Sequence, residues 1–160
     1  MFRGLKAITL LALSVLLCAC VAPVPSPSII GLDKASLAKE LGKPQREGVY
    51  PEGERWDYSR GHYGVFTYFV YLDSNGMVSR YEQVLSEKNF ALIKPGMSKA
   101  DVIQIIGEAP KYHSIARGRG YVWSYRNLSH ECIWFQIEFD PEHVVRATGY
   151  NRRPQIATCR

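Results

Sequence analysis

The sequence predicts an α+β chain of two tandem repeats, each a helix followed by a three-stranded antiparallel meander. Three observations point there. Residues 31–42 (G-L-D-K-A-S-L-A-K-E-L-G) and 96–107 (G-M-S-K-A-D-V-I-Q-I-I-G) align without a gap at an offset of 65. The likeness resumes at an offset of 67, as Trp56-Asp57-Tyr58 against Trp123-Ser124-Tyr125 and Leu72-Asp73 against Phe139-Asp140. Segments of alternating apolar residues follow each helical stretch, as a half-buried strand requires.

The chain opens on a secretion signal, residues 1–19. Arg3 and Lys6 supply its positive start, and Ala7 to Leu17 is apolar apart from Thr9 and Ser14. That run is too short to span a bilayer with confidence. It ends in Leu17-Cys18-Ala19-Cys20, which resembles the bacterial lipobox. The resemblance implies cleavage before Cys20, a thioether-linked lipid on its sulfur and a fatty-acylated (palmitate) N-terminus. Val21 follows where the sorting pattern for the inner membrane has Asp, which implies the periplasmic face of the outer membrane. Residues 20–28 then read as a lipidated, Pro-rich tether that holds the body away from the bilayer.

Repeat 1 spans 29–85. Its helix begins at the N-cap Asp33, is stapled by Leu32 and Leu37, and ends at Gly42 ahead of Pro44. Phe66, Tyr68, Val70 and Leu72 share one strand face, which is assigned to the core. Asp73-Ser74-Asn75-Gly76 is a hairpin signal, because Asn-Gly accepts positive φ at both central positions. The returning strand covers about 77–84, and residues 86–93 link the copies.

Repeat 2 spans 94–160, including a C-terminal tail. Ser98 and Asp101 form a capping-box variant, Met97 and Val102 the staple, Gly107 the helix end and Pro110 the stop. Tyr121, Trp123 and Tyr125 lie on one strand face; Ile133, Phe135, Ile137 and Phe139 line the next. The last strand covers about 143–150. The opposite faces carry Thr67, Phe69 and Tyr71 in one copy and Cys132, Trp134, Gln136 and Glu138 in the other. Either the other copy or the tether covers these aromatics, or Phe69, Tyr71, Trp134 and Gln136 form a partner-binding surface.

At this point the residues resemble a family. G-M-S-K-A-D-V, then I-G-x-x-P, V-W-S-Y-R and F-x-I-x-F-D with a closing strand, together with the lipobox, resemble the SmpA/OmlA (BamE-like) lipoprotein domain. Residues 94–150 carry most of the likeness; the first copy departs at Leu32-Asp33. The resemblance implies an outer-membrane lipoprotein that supports β-barrel protein assembly or envelope integrity. It also implies the fold of the secreted β-lactamase inhibitory proteins (BLIP-like), whose paired sheets form a concave protein-binding surface.

Charge and cysteines fit an envelope protein. The formal charge of +5 falls to +3 once Arg3 and Lys6 leave with the signal, a weak case for nucleic acid. With Cys18 removed and Cys20 lipidated, Cys132 and Cys159 remain, and an oxidising periplasm favours a disulfide between them. Such a bond closes a loop of roughly 27 residues and contributes about 2–4 kcal/mol. No catalytic, metal or cofactor site stands out. His62, His113, His130 and His143 lack metal-ligand spacing, Ser124 and Ser129 lack the glycines of a nucleophile elbow, and Arg117-Gly-Arg-Gly reads as a solvated turn.

The reading is therefore a non-enzymatic binding or scaffold lipoprotein with an envelope protein as partner, the barrel-assembly machinery being the first candidate. A protein inhibitor and a peptidoglycan-associated tether are the alternatives.

Overall fold

A computed structural model of the protein describes residues 23–61, 64–126 and 133–152. It contains two four-stranded antiparallel sheets, ordered β1-β2-β3-β4 and β5-β6-β7-β8, with a few short helices. The first holds β1 (Arg46–Tyr50), β2 (Gly53–Arg60), β3 (Phe66–Leu72) and β4 (Val78–Gln83). The second holds β5 (Lys111–Ser114), β6 (Tyr121–Arg126), β7 (Ile133–Phe139) and β8 (Val145–Arg152). The helices are α1 (Lys34–Leu41), α2 (Glu87–Phe90) and α3 (Lys99–Ile106).

This corrects the expected fold class. The helix-plus-three-strand unit is wrong, because β1 and β5 add an outer strand to each sheet and make the chain mainly β. Both extra strands follow the proline that stops a helix. Arg46 to Tyr50 pairs with Asp57 to Gly53, and Lys111 to Ser114 pairs with Ser124 to Tyr121. An antiparallel neighbour joined by a short turn gives the backbone groups of these segments hydrogen-bond partners that a loop would lack.

The helix ends follow from local chemistry. Asp33 Oδ1 accepts from the Ser36 N–H at 2.8 Å at the start of α1. Ser98 and Asp101 exchange bonds in a full capping box at the start of α3. Both helices stop at a glycine with φ of +76°, Gly42 and Gly107, where an L side chain is strained. A tyrosine then satisfies each exposed terminal carbonyl. Tyr58 Oη donates to Gly42 O at 3.4 Å and Tyr125 Oη to Gly107 O at 2.7 Å. Burial pushes the Tyr58 hydroxyl up to about 12 and holds the fully enclosed Tyr125 hydroxyl well above its ordinary value, so both stay protonated donors.

Two cores result. Leu37 and Leu41 of α1, with Ile29, pack on Trp56, Tyr58, Val70, Leu72 and Val78 of the first sheet. Val102, Ile103 and Ile106 of α3 pack on Trp123, Tyr125, Phe135, Ile137 and Phe139 of the second sheet, and the same cluster takes in Phe69 and Tyr71 from the first. Helix α3 is thus sandwiched between the two sheets. Residues 86–93 do more than link: Phe90 stacks on Phe135 at 4.4 Å between centroids, and Phe90 and Ile93 are buried in the shared core.

Candidate functional site

The face of the first sheet that meets α3 is charged as well as aromatic. Strand alternation brings Arg55, Asp57, Phe69 and Tyr71 to one side of β2 and β3. Arg55 is 2 % exposed. It donates to both Asp57 oxygens, to Ile103 O at 3.2 Å and to Gln104 O at 3.0 Å. Those carbonyls belong to the C-terminal end of α3, where a cation is favoured by the helix dipole. The guanidinium lies between the rings of Tyr50 at 3.7 Å and Phe69 at 3.5 Å. Burial pushes the Asp57 carboxyl up, against the pull of Arg55.

Three of the proposed surface residues are withdrawn from solvent. Phe69, Tyr71 and Trp134 are 1 %, 7 % and 1 % exposed. Phe69 and Tyr71 are interior because α3 and the second core cover them, so among the described residues they offer no open concave surface on that face of the first sheet. Gln136 is half-buried on the other sheet, donating to Ser124 Oγ at 3.2 Å beside a shallow groove of about 250 Å³. The four residues do not converge on one surface. Cys20, Cys132 and Cys159 lie outside the described residues, and so does the proposed disulfide.

An accessible concavity forms elsewhere, against α3 and the outer strand β5. A pocket of about 330 Å³ is lined by Lys99, Glu108, Tyr112, Tyr121, Trp123 and His143. Register places Tyr112 directly opposite Trp123. Trp123 forms a buried wall, whereas Tyr112 is 71 % exposed. Tyr121 stacks on Phe139 at 5.0 Å, and its hydroxyl lies 2.9 Å from His143 Nδ1. His143 adopts φ of +66° in the turn before β8, which aims its ring edge-on at Tyr121. Lys99 Nζ sits 4.9 Å from the Trp123 ring and 3.9 Å from Glu108, which also binds Arg46 at 2.9 Å.

The pocket therefore offers aromatic walls with one cationic and one anionic rim group. That combination suits an amphipathic side chain or segment of a partner. The described residues gather no group of three His, Cys, Asp or Glu side chains that could hold a metal. A larger trough of about 820 Å³ beside α1 is lined by Asp33, Lys34, Glu52, Glu54 and Asp73 among others, and several of these groups are engaged within the fold. Lys34 pairs with Glu54 at 2.7 Å, and Asp73 Oδ1 accepts from the Asn75 and Met77 N–H groups.

The sequence places Tyr121 and Trp123 on one strand face but gives no strand for Tyr112. Lys111-Tyr112-His113-Ser114 carries no apolar–polar alternation, so nothing in the sequence marks the strand that holds Tyr112.

No family model matches the chain, and no curated protein sequence matches it. Two solved structures are distantly similar. A DUF4309 family protein (YjgB) from Bacillus subtilis is 9 % identical at a TM-score of 0.31, over 82 % of this chain and 86 % of that one. An extracellular protein containing a SCP domain from Bacillus anthracis is 17 % identical at a TM-score of 0.31, over 81 % of this chain and 48 % of that one.

Proposed function

We propose that the chain is a lipid-anchored outer-membrane protein facing the periplasm, which binds another envelope protein and performs no catalysis. The pocket of Tyr112, Tyr121, Trp123 and His143 is the observation that carries the reading. An exposed tyrosine and a buried tryptophan lining one pocket, rimmed by Lys99 and Glu108, have the composition of a protein-binding anchor site. The lipobox-like Leu17-Cys18-Ala19-Cys20 supports the anchor. The likeness of residues 94–150 to the SmpA/OmlA pattern makes the barrel-assembly machinery the first partner to test.

The anchor is tested by intact mass and membrane flotation. The chain should carry a diacylglyceryl adduct and an acyl chain at Cys20 and float with membranes, and Cys20→Ala should release it. An unmodified chain that stays in the soluble fraction would overturn the lipoprotein reading.

A further inference from the structure

The Pro-rich segment after the lipid site is not a free leash. Arg60 Nε donates to Pro23 O at 2.9 Å. The same guanidinium donates to Leu41 O at 2.6 Å, the last residue of α1, and lies 4.6 Å over the Tyr58 ring. Arg60 is 6 % exposed, so the bond is made inside the fold. Pro25 is buried two residues later, and Ile29 at 1 % exposure belongs to the first core. From Pro23 onward the chain is part of the body.

Only three peptide units separate Pro23 from Cys20, and fully extended they span no more than about 11 Å. We propose that the Arg60 end of the first sheet rests directly on the bilayer, with Lys43 and Gly61 at the lipid headgroups. The inference rests on lipidation of Cys20. It replaces a body held away from the membrane by one that is seated on it in a fixed orientation. Lys43 is exposed just past α1 and is a cation suited to anionic headgroups. The Asp73–Gly76 turn is at the far end of β3, about 20 Å along the strand, and points away from the lipid.

The test uses the acylated protein in vesicles of phosphatidylethanolamine and phosphatidylglycerol, with benzoylphenylalanine placed at position 43 or at position 75. Irradiation should give several-fold more phospholipid adduct from position 43. Inserting a flexible Gly/Ser linker of about twelve residues between Ala22 and Pro23 should abolish that excess, with flotation unchanged. Equal adduct from both positions, or an excess that survives the linker, would overturn the seating while leaving the lipoprotein reading intact. A chain without acyl mass that fails to float would overturn both.

Discussion

Arg55 and Asp57, two residues apart on β2, close a buried bidentate ion pair at 2.7 and 3.1 Å where the first sheet meets α3. The pair also bridges the first sheet to α3, because Arg55 donates to the carbonyls of Ile103 and Gln104. Burying such a pair gains little net energy, but breaking it leaves a charge stranded. Arg55→Met should therefore cost about 3–5 kcal/mol in a denaturant melt. Adding Asp57→Asn should recover part of that loss. A single variant that melts like the wild type would show that the bridge is absent in solution.

The two helix-ending glycines separate backbone strain from docking. Both have φ of +76°, but a Cβ on Gly42 meets nothing within 4 Å, whereas one on Gly107 comes 2.9 Å from Thr67 and 3.3 Å from Phe69. Gly42→Ala should cost about 1–3 kcal/mol from strain alone. Gly107→Ala should cost distinctly more, because it also wedges the sheets apart. Equal costs would mean that the first sheet does not pack on α3 as described.

Phe69 provides a test of burial against surface exposure. At 1 % exposure, with Arg55 over its ring, Phe69→Ala should lose about 3–5 kcal/mol. A variant of unchanged stability would return Phe69 to the surface.

Acid sensitivity should come partly from the helix caps. Hydrogen bonds from Ser36 hold Asp33, and those from Ser98 hold Asp101, below the ordinary carboxyl value of 3.8. A depressed folded pKa contributes stability that is present above 3.8 and lost as pH falls through the folded value. Asp57 is shifted upward and does not contribute in that direction. Replacing Asp33 and Asp101 with Asn, which keeps an acceptor oxygen without the charge, should flatten the acid limb of a stability–pH curve. Identical limbs would remove the caps from the account.

Much of the local structure was legible in the sequence. Asp33, Ser98, Gly42 and Gly107 announced the helix ends because capping is a matter of neighbouring residues. The Asp73-Ser74-Asn75-Gly76 turn was legible too, but of Asn75 and Gly76 only Gly76 takes positive φ, and Asp73 Oδ1 holds the turn through the Asn75 and Met77 N–H groups. The outer strands β1 and β5 were not legible, since five and four residues with exposed tips carry too little alternation to stand out from loop. Cover of Phe69 and Tyr71 by the other copy or the tether is one of the two readings the sequence allows, but α3 as the element that covers them is not legible there. Deciding it needed Arg55, whose partners lie 48 and 49 residues away at the backbone of α3. The pocket depends on β5 and on the turn geometry of His143, so it could not be seen before the strand that builds it.

Tyr112 is the residue through which binding of a partner at the proposed pocket on α3 and β5 can be probed without disturbing the core. Tyr112 is exposed, so Tyr112→Ala should leave the melting temperature within a degree or two for a domain of this size. Wild-type and Tyr112→Ala proteins, both acylated, would be purified from mildly crosslinked membranes and their co-eluting proteins identified. An envelope protein should co-elute with the wild type and be lost or strongly depleted with the variant. The same proteins in the same amounts from both would rule out the pocket as the binding site.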